Sequence, residues 1–251
     1  MQLVIPMAGL GTRFSQAGYK KIKPLINVLG KPMIEIVLDN LIPKETNFEK
    51  IILIINREID NDEEFQKLIK RYRQNIDLRV LNQISKGPAD SVFLARDLIQ
   101  EDKPITIANC DQYLVTDLNK FYMKLSEGES DGIIITMQDN HQKWSYAALD
   151  AENNLVTHVA EKKVISDFAT VGVYGFKKAN DLFNAIQESF RKGETVNDEY
   201  YVGPLYNHLI AKNQKITIYN LGKLGNKFFG LGTPEDLKIF QEYAIHIGLE
   251  V

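Results

Sequence analysis

The first 110 residues alternate short apolar segments with amphipathic ones, and this alternation restricts the possible folds more than any other feature. Short apolar runs predict strands, and apolar residues that recur at helical spacing predict helices. The predicted strands are 2–6, 51–55, 78–81 and 105–108, and the predicted helices are 32–42, 65–72 and 92–99. Strands and helices that alternate in this way indicate a parallel sheet with right-handed crossovers and helices on both faces.

Polar residues follow two of these predicted strands directly. Residues 9–13 come after strand 2–6, and the sequence Asn109-Cys110-Asp111-Gln112 comes after strand 105–108. Ligands of open α/β sheets bind beyond the carboxyl ends of the strands. We therefore expect a binding site where these two segments meet.

The second half of the chain has a different pattern, with strands that follow one another. Strands are predicted at 133–137, 146–149, 155–160, 171–176 and 216–219, and helices at 118–125, 179–190, 204–211 and 234–247. Residues 150–154 resemble a hairpin turn. Because no linker-like segment interrupts the chain, we expect one domain over 1–251 with halves 1–115 and 116–251. The predicted fold class is α/β, Rossmann-like, with a mixed, mainly parallel sheet in three α/β/α layers.

Composition excludes several classes of protein. The 30 Lys and Arg residues and 33 Asp and Glu residues give a formal charge of −3, which is too balanced for bulk attraction to nucleic acid. The longest aliphatic run, 51–55, is far shorter than the roughly 20 residues of a membrane helix. The single cysteine, Cys110, fits a reducing compartment. We expect a soluble cytoplasmic protein that binds small ligands, with homo-oligomers possible.

The loop after the first strand carries two glycines and an arginine. Gly9 and Gly11 let backbone N–H groups approach an anion, and Arg13 adds a planar set of donors that suits phosphate. The loop is not a Walker P-loop, because no Gly-Lys pair in the chain is followed by Ser or Thr. Position six of the G-x-G-x-x-G pattern is Phe14, which argues against a nicotinamide enzyme. Taken alone, the loop is equally typical of a tight turn.

Cations follow this loop shortly afterwards. Lys20 and Lys21 are expected to be solvated surface charges. Lys23 differs because it precedes Pro24, which predicts an extended backbone and a fixed direction for the lysine side chain.

Motifs along nearly the whole chain resemble those of the sugar-phosphate nucleotidyltransferases, the pyrophosphorylases that make nucleotide sugars. The first stretch runs from Ile5 to Leu38 and contains GxGTRF, KPL and GKPMI. Further matches are Gln83, Gly87, Asp111, Glu161-Lys162, Gly172-Val173-Tyr174 and Gly232-Thr233-Pro234-Glu235-Asp236-Leu237. The resemblance implies a GT-A-like nucleotidyltransferase fold, with residues 1–115 as the nucleotide-binding half and 116–251 as the acceptor-binding half.

The resemblance also implies a reaction and a set of nucleotide contacts. A sugar 1-phosphate oxygen would attack the α-phosphorus of a nucleoside triphosphate in line, and pyrophosphate would leave. Arg13 would hold the pyrophosphate, and Lys23 would span the triphosphate. The implied nucleotide-binding residues are Met7, Ala8, Gly9, Leu10, Gly11, Thr12, Gln83 and Gly87. The Gln83 amide suits a base edge but specifies no base, and a solvated loop glutamine is the alternative. CTP, dTTP or UTP is the expected nucleotide.

For the metal and the acceptor, the resemblance implies five further positions. Asp111 would be a Mg²⁺ ligand, the alternative being a carboxylate that caps the next turn. Glu161 would hold sugar hydroxyls and Lys162 the sugar phosphate, which makes Lys162 catalytic together with Arg13, Lys23 and Asp111. Adjacent residues of a regular strand point to opposite faces, so this pair reaches one site only where the strand bends or ends; otherwise it is a surface charge pair. Val173 and Glu199 are further implied acceptor contacts.

The chain departs from the family pattern on the acceptor side. Relatives carry an aspartate, the second metal ligand, two residues before the Gly-Thr of the last motif, and Gly230 stands there instead. The usual Tyr-Gly pair near the sugar is replaced by Tyr146-Ala147. Asn226 and Asp198 are candidates for replacing the missing ligand. The acceptor is therefore less well defined than the nucleotide.

Three functions remain open at this point. The first is an active nucleotidyltransferase with a sugar 1-phosphate or another phosphorylated acceptor, serving surface glycan biosynthesis such as a capsule polysaccharide. The second is a nucleotide-binding regulatory subunit without turnover, because the second metal ligand is missing. The third is a GT-A glycosyltransferase, which the GxGTRF and KPL stretch disfavours. Keeping the full set of Arg13, Lys23, Asp111 and Lys162 favours the first.

Overall fold

The computed structural model describes residues 1–72, 76–223, 225 and 227–249. Within these residues the strands are β1 (Gln2–Pro6), β2 (Asn27–Val28), β3 (Lys31–Pro32), β4 (Lys50–Asn56), β5 (Ile76–Leu81), β6 (Ile105–Ala108), β7 (Gln112–Leu114), β8 (Gly132–Gln138), β9 (Tyr146–Leu149), β10 (Val156–Ala160), β11 (Phe168–Phe176), β12 (Ile216–Lys223) and β13 (Phe228–Gly230). The helices are α1 (Thr12–Gln16), α2 (Met33–Leu41), α3 (Arg57–Asp60), α4 (Glu63–Arg71), α5 (Pro88–Leu94), α6 (Leu118–Glu127), α7 (Ala179–Lys192), α8 (Tyr206–Ile210) and α9 (Pro234–His246). Short 3₁₀ turns lie at Lys23–Leu25, Arg96–Leu98 and Gly203–Leu205.

The four strands predicted in the first half, which are β1, β4, β5 and β6, are parallel neighbours. Strand β1 pairs with β4 on one side and with β6 on the other, and β4 pairs with β5. The chain therefore adds β4 and β5 on one side of β1 and then adds β6 on the other side of β1. A crevice opens at such a reversal, between the loops that follow the two strands.

Helices cover both faces of this sheet, which confirms the three-layer arrangement. The side chains of Ile51, Leu53 and Ile55 belong to one core, which includes residues of α2, α6 and α9. Those of Ile52 and Ile54 belong to a second core, which includes residues of α5, α7 and α8. Alternate residues of β4 thus point into opposite cores, which explains why this strand is apolar throughout.

The second half extends the same sheet with antiparallel pairs. Strand β11 pairs antiparallel with β6 and β8, and β12 pairs parallel with β8. Strands β9 and β10 form the predicted hairpin, in which Asn154 has a φ of 57°. The sheet is therefore mixed, and strands of both halves share it.

Local differences from the prediction have physical causes. The helix predicted over 92–99 was wrong in extent, because α5 ends at Leu94 and a separate 3₁₀ turn follows. The two-stranded sheet of β7 and β13 was not predicted, because its strands are short and far apart in the chain. That sheet matters for the site because Leu231 donates a backbone hydrogen bond to the Asp111 carbonyl at 2.8 Å. In the described part of the chain, no helix is long and apolar enough to cross a membrane.

Candidate active site

A cavity of about 450 Å³ lies at the carboxyl ends of β1 and β6. Arg13 reaches it from α1, and Asp111 from the segment after β6. From the second half, Glu161 and Lys162 reach it from the end of β10. Its size is that of a small-molecule site, and both halves of the chain contribute charged groups to it.

The Lys23 ammonium group is bound to the Asp111 carboxylate, which lines the cavity, while Lys23 itself lies behind Asp111. The distance from Lys23 Nζ to Asp111 Oδ2 is 2.5 Å, and the two side chains are only 18% and 27% exposed. Burial opposes the charged lysine, but the attraction and the hydrogen bond of Asp111 outweigh it, so the pKa of Lys23 is raised above its ordinary value. Lys23 therefore carries its positive charge at neutral pH.

Lys23 is held by its backbone and by the glycine loop. The extended backbone predicted at this residue was wrong, because Lys23 begins the 3₁₀ turn that buries Pro24 and Leu25. Gly11 packs against the lysine: a Cβ at residue 11 would lie 2.8 Å from the Lys23 Cβ, and the φ of Gly11 is 61°. Glycine is thus needed at this position for both space and conformation.

The Asp111 carboxylate has the chemistry that a magnesium ion requires. It is a hard oxygen donor that faces the cavity, and Mg²⁺ commonly takes one or two carboxylates and completes its shell with phosphate oxygens and water. A Cβ at residue 232 would lie 2.7 Å from Asp111 Oδ2, so Gly232 leaves the space that the carboxylate occupies. The Mg²⁺ ion that the family resemblance implies therefore fits the Asp111 carboxylate. The described residues contain no group of three or more His, Cys, Asp or Glu that could hold a metal by themselves.

Glu161 and Lys162 both face the cavity because the strand ends before them. Strand β10 stops at Ala160, and Lys162 has a φ of 52°, so the opposite-face rule of a regular strand does not apply. The Ser145 hydroxyl donates a hydrogen bond to the Glu161 carboxylate. Burial raises the pKa of Glu161 above its ordinary value, although Ser145 and Lys162 both act to lower it.

Glu199 joins this group through a tyrosine that the sequence did not single out. Lys162 Nζ donates to the Tyr201 hydroxyl at 2.8 Å, and that hydroxyl donates to a Glu199 carboxylate oxygen at 2.5 Å. Tyr201 lines the cavity, whereas Glu199 stands behind it. Glu199 thus orients Lys162 through Tyr201.

Gly87 brings the segment around Glu199 close to the first half. Its φ is 100°, and a Cβ there would lie 2.7 Å from the Tyr200 carbonyl oxygen. The backbones also pair, since Ala89 donates to the Tyr200 carbonyl at 3.0 Å. Gln83 is exposed. Neither Gln83 nor Gly87 lines the cavity, and their base contacts stay predictions.

The remaining predicted residues lie around the cavity rather than on its wall. The Met7 and Val173 side chains are buried in the core, and the wall near β11 is formed by Val171 and Gly172. The loop residues Ala8, Gly9, Leu10 and Thr12 lie beside it, with Leu10 59% exposed. Of the two candidates for the second metal ligand, Asp198 is exposed and Asn226 lies outside the described residues. Burial raises the pKa of the Cys110 thiol to about 11.

Besides Tyr201, the sequence did not single out three charged or aromatic residues of the cavity that lie close together. Lys143, Trp144 and Asp236 all line it. The Lys143 ammonium group lies 4.5 Å from the centre of the Trp144 ring and 3.7 Å from an Asp236 oxygen. Asp236 lies within the motif at residues 232–237. For Lys143 and Trp144, the one signal in the composition was that the chain has a single tryptophan.

Fold and site together define a mixed α/β protein with a cavity lined by charged groups where the order of the parallel strands reverses. The chain belongs to the nucleotidyl transferase family, whose model matches residues 3–203. This confirms the family that the motifs indicated.

Solved structures agree with this assignment. A structure from Vibrio cholerae RC9, described as a nucleoside-diphosphate-sugar pyrophosphorylase, has a TM-score of 0.80 at 25% identity, covering 96% of this chain and 99% of that one. The inositol-1-phosphate CTP transferase from T. maritima has a TM-score of 0.73 at 13% identity, covering 100% of this chain and 98% of that one, which shows a shared fold only.

A curated relative is the bifunctional protein GlmU of Methanococcus maripaludis. It is 23% identical over 191 residues, which are 74% of this chain and 42% of that protein. The chain thus spans less than half the length of this relative.

Proposed function

We propose that this protein is a Mg²⁺-dependent nucleotidyltransferase. It would condense a nucleoside triphosphate, either CTP, dTTP or UTP, with a sugar 1-phosphate or a related phosphorylated acceptor. The products are a nucleotide-activated compound and pyrophosphate. The proposed role is the supply of a precursor for a surface glycan, in the cytoplasm.

The observation that carries this proposal is the contact between Lys23 and Asp111 beside the glycine loop. Lys23 is packed on Gly11, and Arg13 follows the loop on α1 and reaches the same cavity as Asp111. Arg13 and Asp111 thus line one cavity, and Lys23 lies next to it through its ion pair with Asp111. A triphosphate needs cations along its length, and an associated divalent ion needs a carboxylate.

The chemistry requires positioning and charge neutralisation rather than a nucleophile from the protein. An oxygen of the acceptor phosphate attacks the α-phosphorus, a P–O bond forms, and the bond to pyrophosphate breaks with its electron pair on the leaving oxygen. Arg13 and Lys23 stabilise the negative charge that grows on the departing and equatorial oxygens. No proton transfer to the protein is needed, because the attacking oxygen is already ionised.

Asp111 would hold the metal ion, which when bound neutralises phosphate charge and aligns the triphosphate. The Lys23 ammonium group compensates the Asp111 carboxylate. Lys23 is therefore positioned to exchange this carboxylate for a phosphate oxygen when the nucleotide arrives. Such an exchange keeps the buried lysine paired throughout, which avoids the cost of an isolated charge.

The acceptor would occupy the part of the cavity formed by the second half. Lys162, oriented by Tyr201, would bind the acceptor phosphate, and Glu161 would accept hydrogen bonds from hydroxyl groups. The fixed geometry lowers the entropic cost of bringing two phosphates together.

The test is pyrophosphate release measured for each common nucleoside triphosphate against a panel of phosphorylated acceptors. We expect release with one pyrimidine nucleotide and one acceptor, lost in Lys23→Ala and kept in the surface variant Lys20→Ala. Nucleotide binding without release by any pair would favour the regulatory subunit. Release of a nucleoside diphosphate from a nucleotide sugar would favour the glycosyltransferase.

A further inference from the structure

Gly230 has no side chain, and the carboxylate of Asp236 lies beside the position that a side chain there would take. A Cβ built on Gly230 would lie 3.5 Å from both Cγ and Oδ2 of Asp236, at ordinary contact distance. Two residues further on, a Cβ on Gly232 would meet Asp111 Oδ2. The carboxylates of Asp111 and Asp236 therefore both contact the segment 230–232, and both line the cavity.

The start of α9 directs Asp236 toward the cavity. Thr233 caps this helix, and its hydroxyl accepts a hydrogen bond from the Asp236 N–H at 3.1 Å. In a complete capping box, the carboxylate of the third helical residue turns back to the N–H of the cap. Among the described residues, the Asp236 carboxylate accepts no such bond, and its nearest charged partner is Lys143, 3.7 Å away.

Both carboxylates are thus paired with lysines. Asp111 holds Lys23, and Asp236 holds Lys143, which also lies over the Trp144 ring. These two positive charges compensate two carboxylates that line one cavity, which is the electrostatic role that one divalent ion would have. The pair of lysines can be released, because Lys23 has the triphosphate to bind and Lys143 is 45% exposed.

We propose that Asp236 supplies the second carboxylate of the divalent-cation site, together with Asp111, and replaces the ligand that Gly230 does not provide. This inference rests on the proposed function, since it gives that function's metal site its second ligand. A Mg²⁺ ion commonly retains several waters, so one carboxylate could bind it directly and the other through its water shell.

Trp144 allows the site to be tested without measuring activity. It is the one tryptophan of the chain, and it lines the same cavity. Tb³⁺ is a cation that prefers oxygen ligands, and it emits when a nearby excited tryptophan transfers energy to it. Titration of the full chain with Tb³⁺, under excitation selective for tryptophan, therefore reports a cation close to Trp144. Because the Trp144 indole N–H also donates to Asp139, outside this cavity, the variants of Asp111 and Asp236 identify which carboxylates bind the ion. The Trp144→Phe variant gives the background.

We expect sensitised emission from the wild-type protein that excess Mg²⁺ abolishes. Asp111→Asn and Asp236→Asn should each weaken the apparent Tb³⁺ affinity by about tenfold or more. Glu235→Gln is the matched control, because it removes the same charge from the neighbouring exposed residue of α9, and its affinity should equal that of wild type.

A rescue variant separates a ligand role from a general charge effect. Gly230→Asp in the Asp236→Asn background should restore the Tb³⁺ affinity, since Gly230 does not have a positive φ and has room for a side chain. Thermal unfolding of each variant shows that the fold is kept.

The inference is overturned if Asp236→Asn binds Tb³⁺ as wild type does while Asp111→Asn does not, or if the wild-type protein gives no sensitised emission. Failure of the proposed function appears separately, as an intact Tb³⁺ site in a protein that releases no pyrophosphate with any pair of substrates.

Discussion

The Lys23 ammonium group lies 2.5 Å from the Asp111 carboxylate, although 88 positions separate the two residues in the chain. The contact joins the turn that follows the glycine loop to the segment that follows β6. It is made possible by the sheet, which places β1 and β6 side by side. A single ion pair thus fixes the relative position of two loops that approach the same ligand.

Removing either partner of this pair should reduce catalysis strongly. We expect Lys23→Ala and Asp111→Asn each to lower the rate of pyrophosphate release by about 10²–10³-fold, the usual effect of losing one preorganised charge. The double variant should lose much less than the product of the two, because the residues act as one unit. Steady-state rates of the two single variants and the double variant measure this coupling. Fully multiplicative losses would show that the two residues act independently.

Substitution of Gly11 should cost more stability than its left-handed backbone conformation alone explains. Gly11 and Gly18 both have positive φ, but a Cβ at Gly18 meets nothing within 4 Å, whereas at Gly11 it meets Lys23. Gly18→Ala should therefore cost only the left-handed conformation, about 1–2 kcal/mol. Gly11→Ala should cost more and should also lower activity by displacing the lysine. Urea unfolding compares the two, and equal losses of stability would contradict the close packing.

Glu161 should make stability depend on pH. A carboxyl group whose folded pKa is raised binds more protons in the folded state, so its contribution to stability falls as pH rises from about 4.5, the ordinary value, through the raised value. Glu161→Gln should remove this fall, so its Tm should change less than that of wild type over this range. Ser145→Ala should enlarge the fall, because the Ser145 hydrogen bond lowers this pKa. Identical pH profiles of Tm for all three proteins would contradict the assigned burial effect.

Tyr201→Phe should affect the acceptor more than the nucleotide. The change removes the hydroxyl that accepts from Lys162 and donates to Glu199, at a cost of about 1–2 kcal/mol. We expect the KM for the acceptor to rise about fivefold or more and the KM for the nucleotide to stay near its wild-type value. Tyr19→Phe, at a half-exposed tyrosine outside the cavity wall, is the control. Equal increases in both KM values would place Tyr201 in a general structural role.

The sheet and half of the site could be predicted from the sequence because their signals are local. The run Ile51 to Ile55 is apolar throughout because its alternate residues enter two cores, and this pattern is visible without coordinates. Arg13 and Asp111 each lie in a polar segment that follows a strand of the parallel sheet, and such segments meet at one edge. Their individual roles were implied by the family resemblance. The structure brings both to one cavity.

The acceptor side could not be predicted to the same extent, because distant segments assemble it. Asp236 reaches the cavity through the pairing of β7 and β13, and such short strands leave little pattern in a sequence. Tyr201 depends on the fit of residues 199–201 against Gly87, whose φ of 100° is a property of the folded backbone. The family resemblance implied Lys162, but the positive φ that lets its side chain face the site is not visible in the spacing of the sequence.

The proposal that Arg13, Lys23 and Asp111 converge on one triphosphate is tested most directly by the affinity for that nucleotide. Calorimetric titration with each of CTP, dTTP and UTP in the presence of Mg²⁺ should show binding of one of them to the wild-type protein. Arg13→Ala and Lys23→Ala should weaken it by about tenfold or more each, since each removes a charge-assisted hydrogen bond to phosphate. Lys20→Ala, an exposed cation nearby, should bind as wild type does. Wild-type affinity in both Arg13→Ala and Lys23→Ala would contradict the shared triphosphate site.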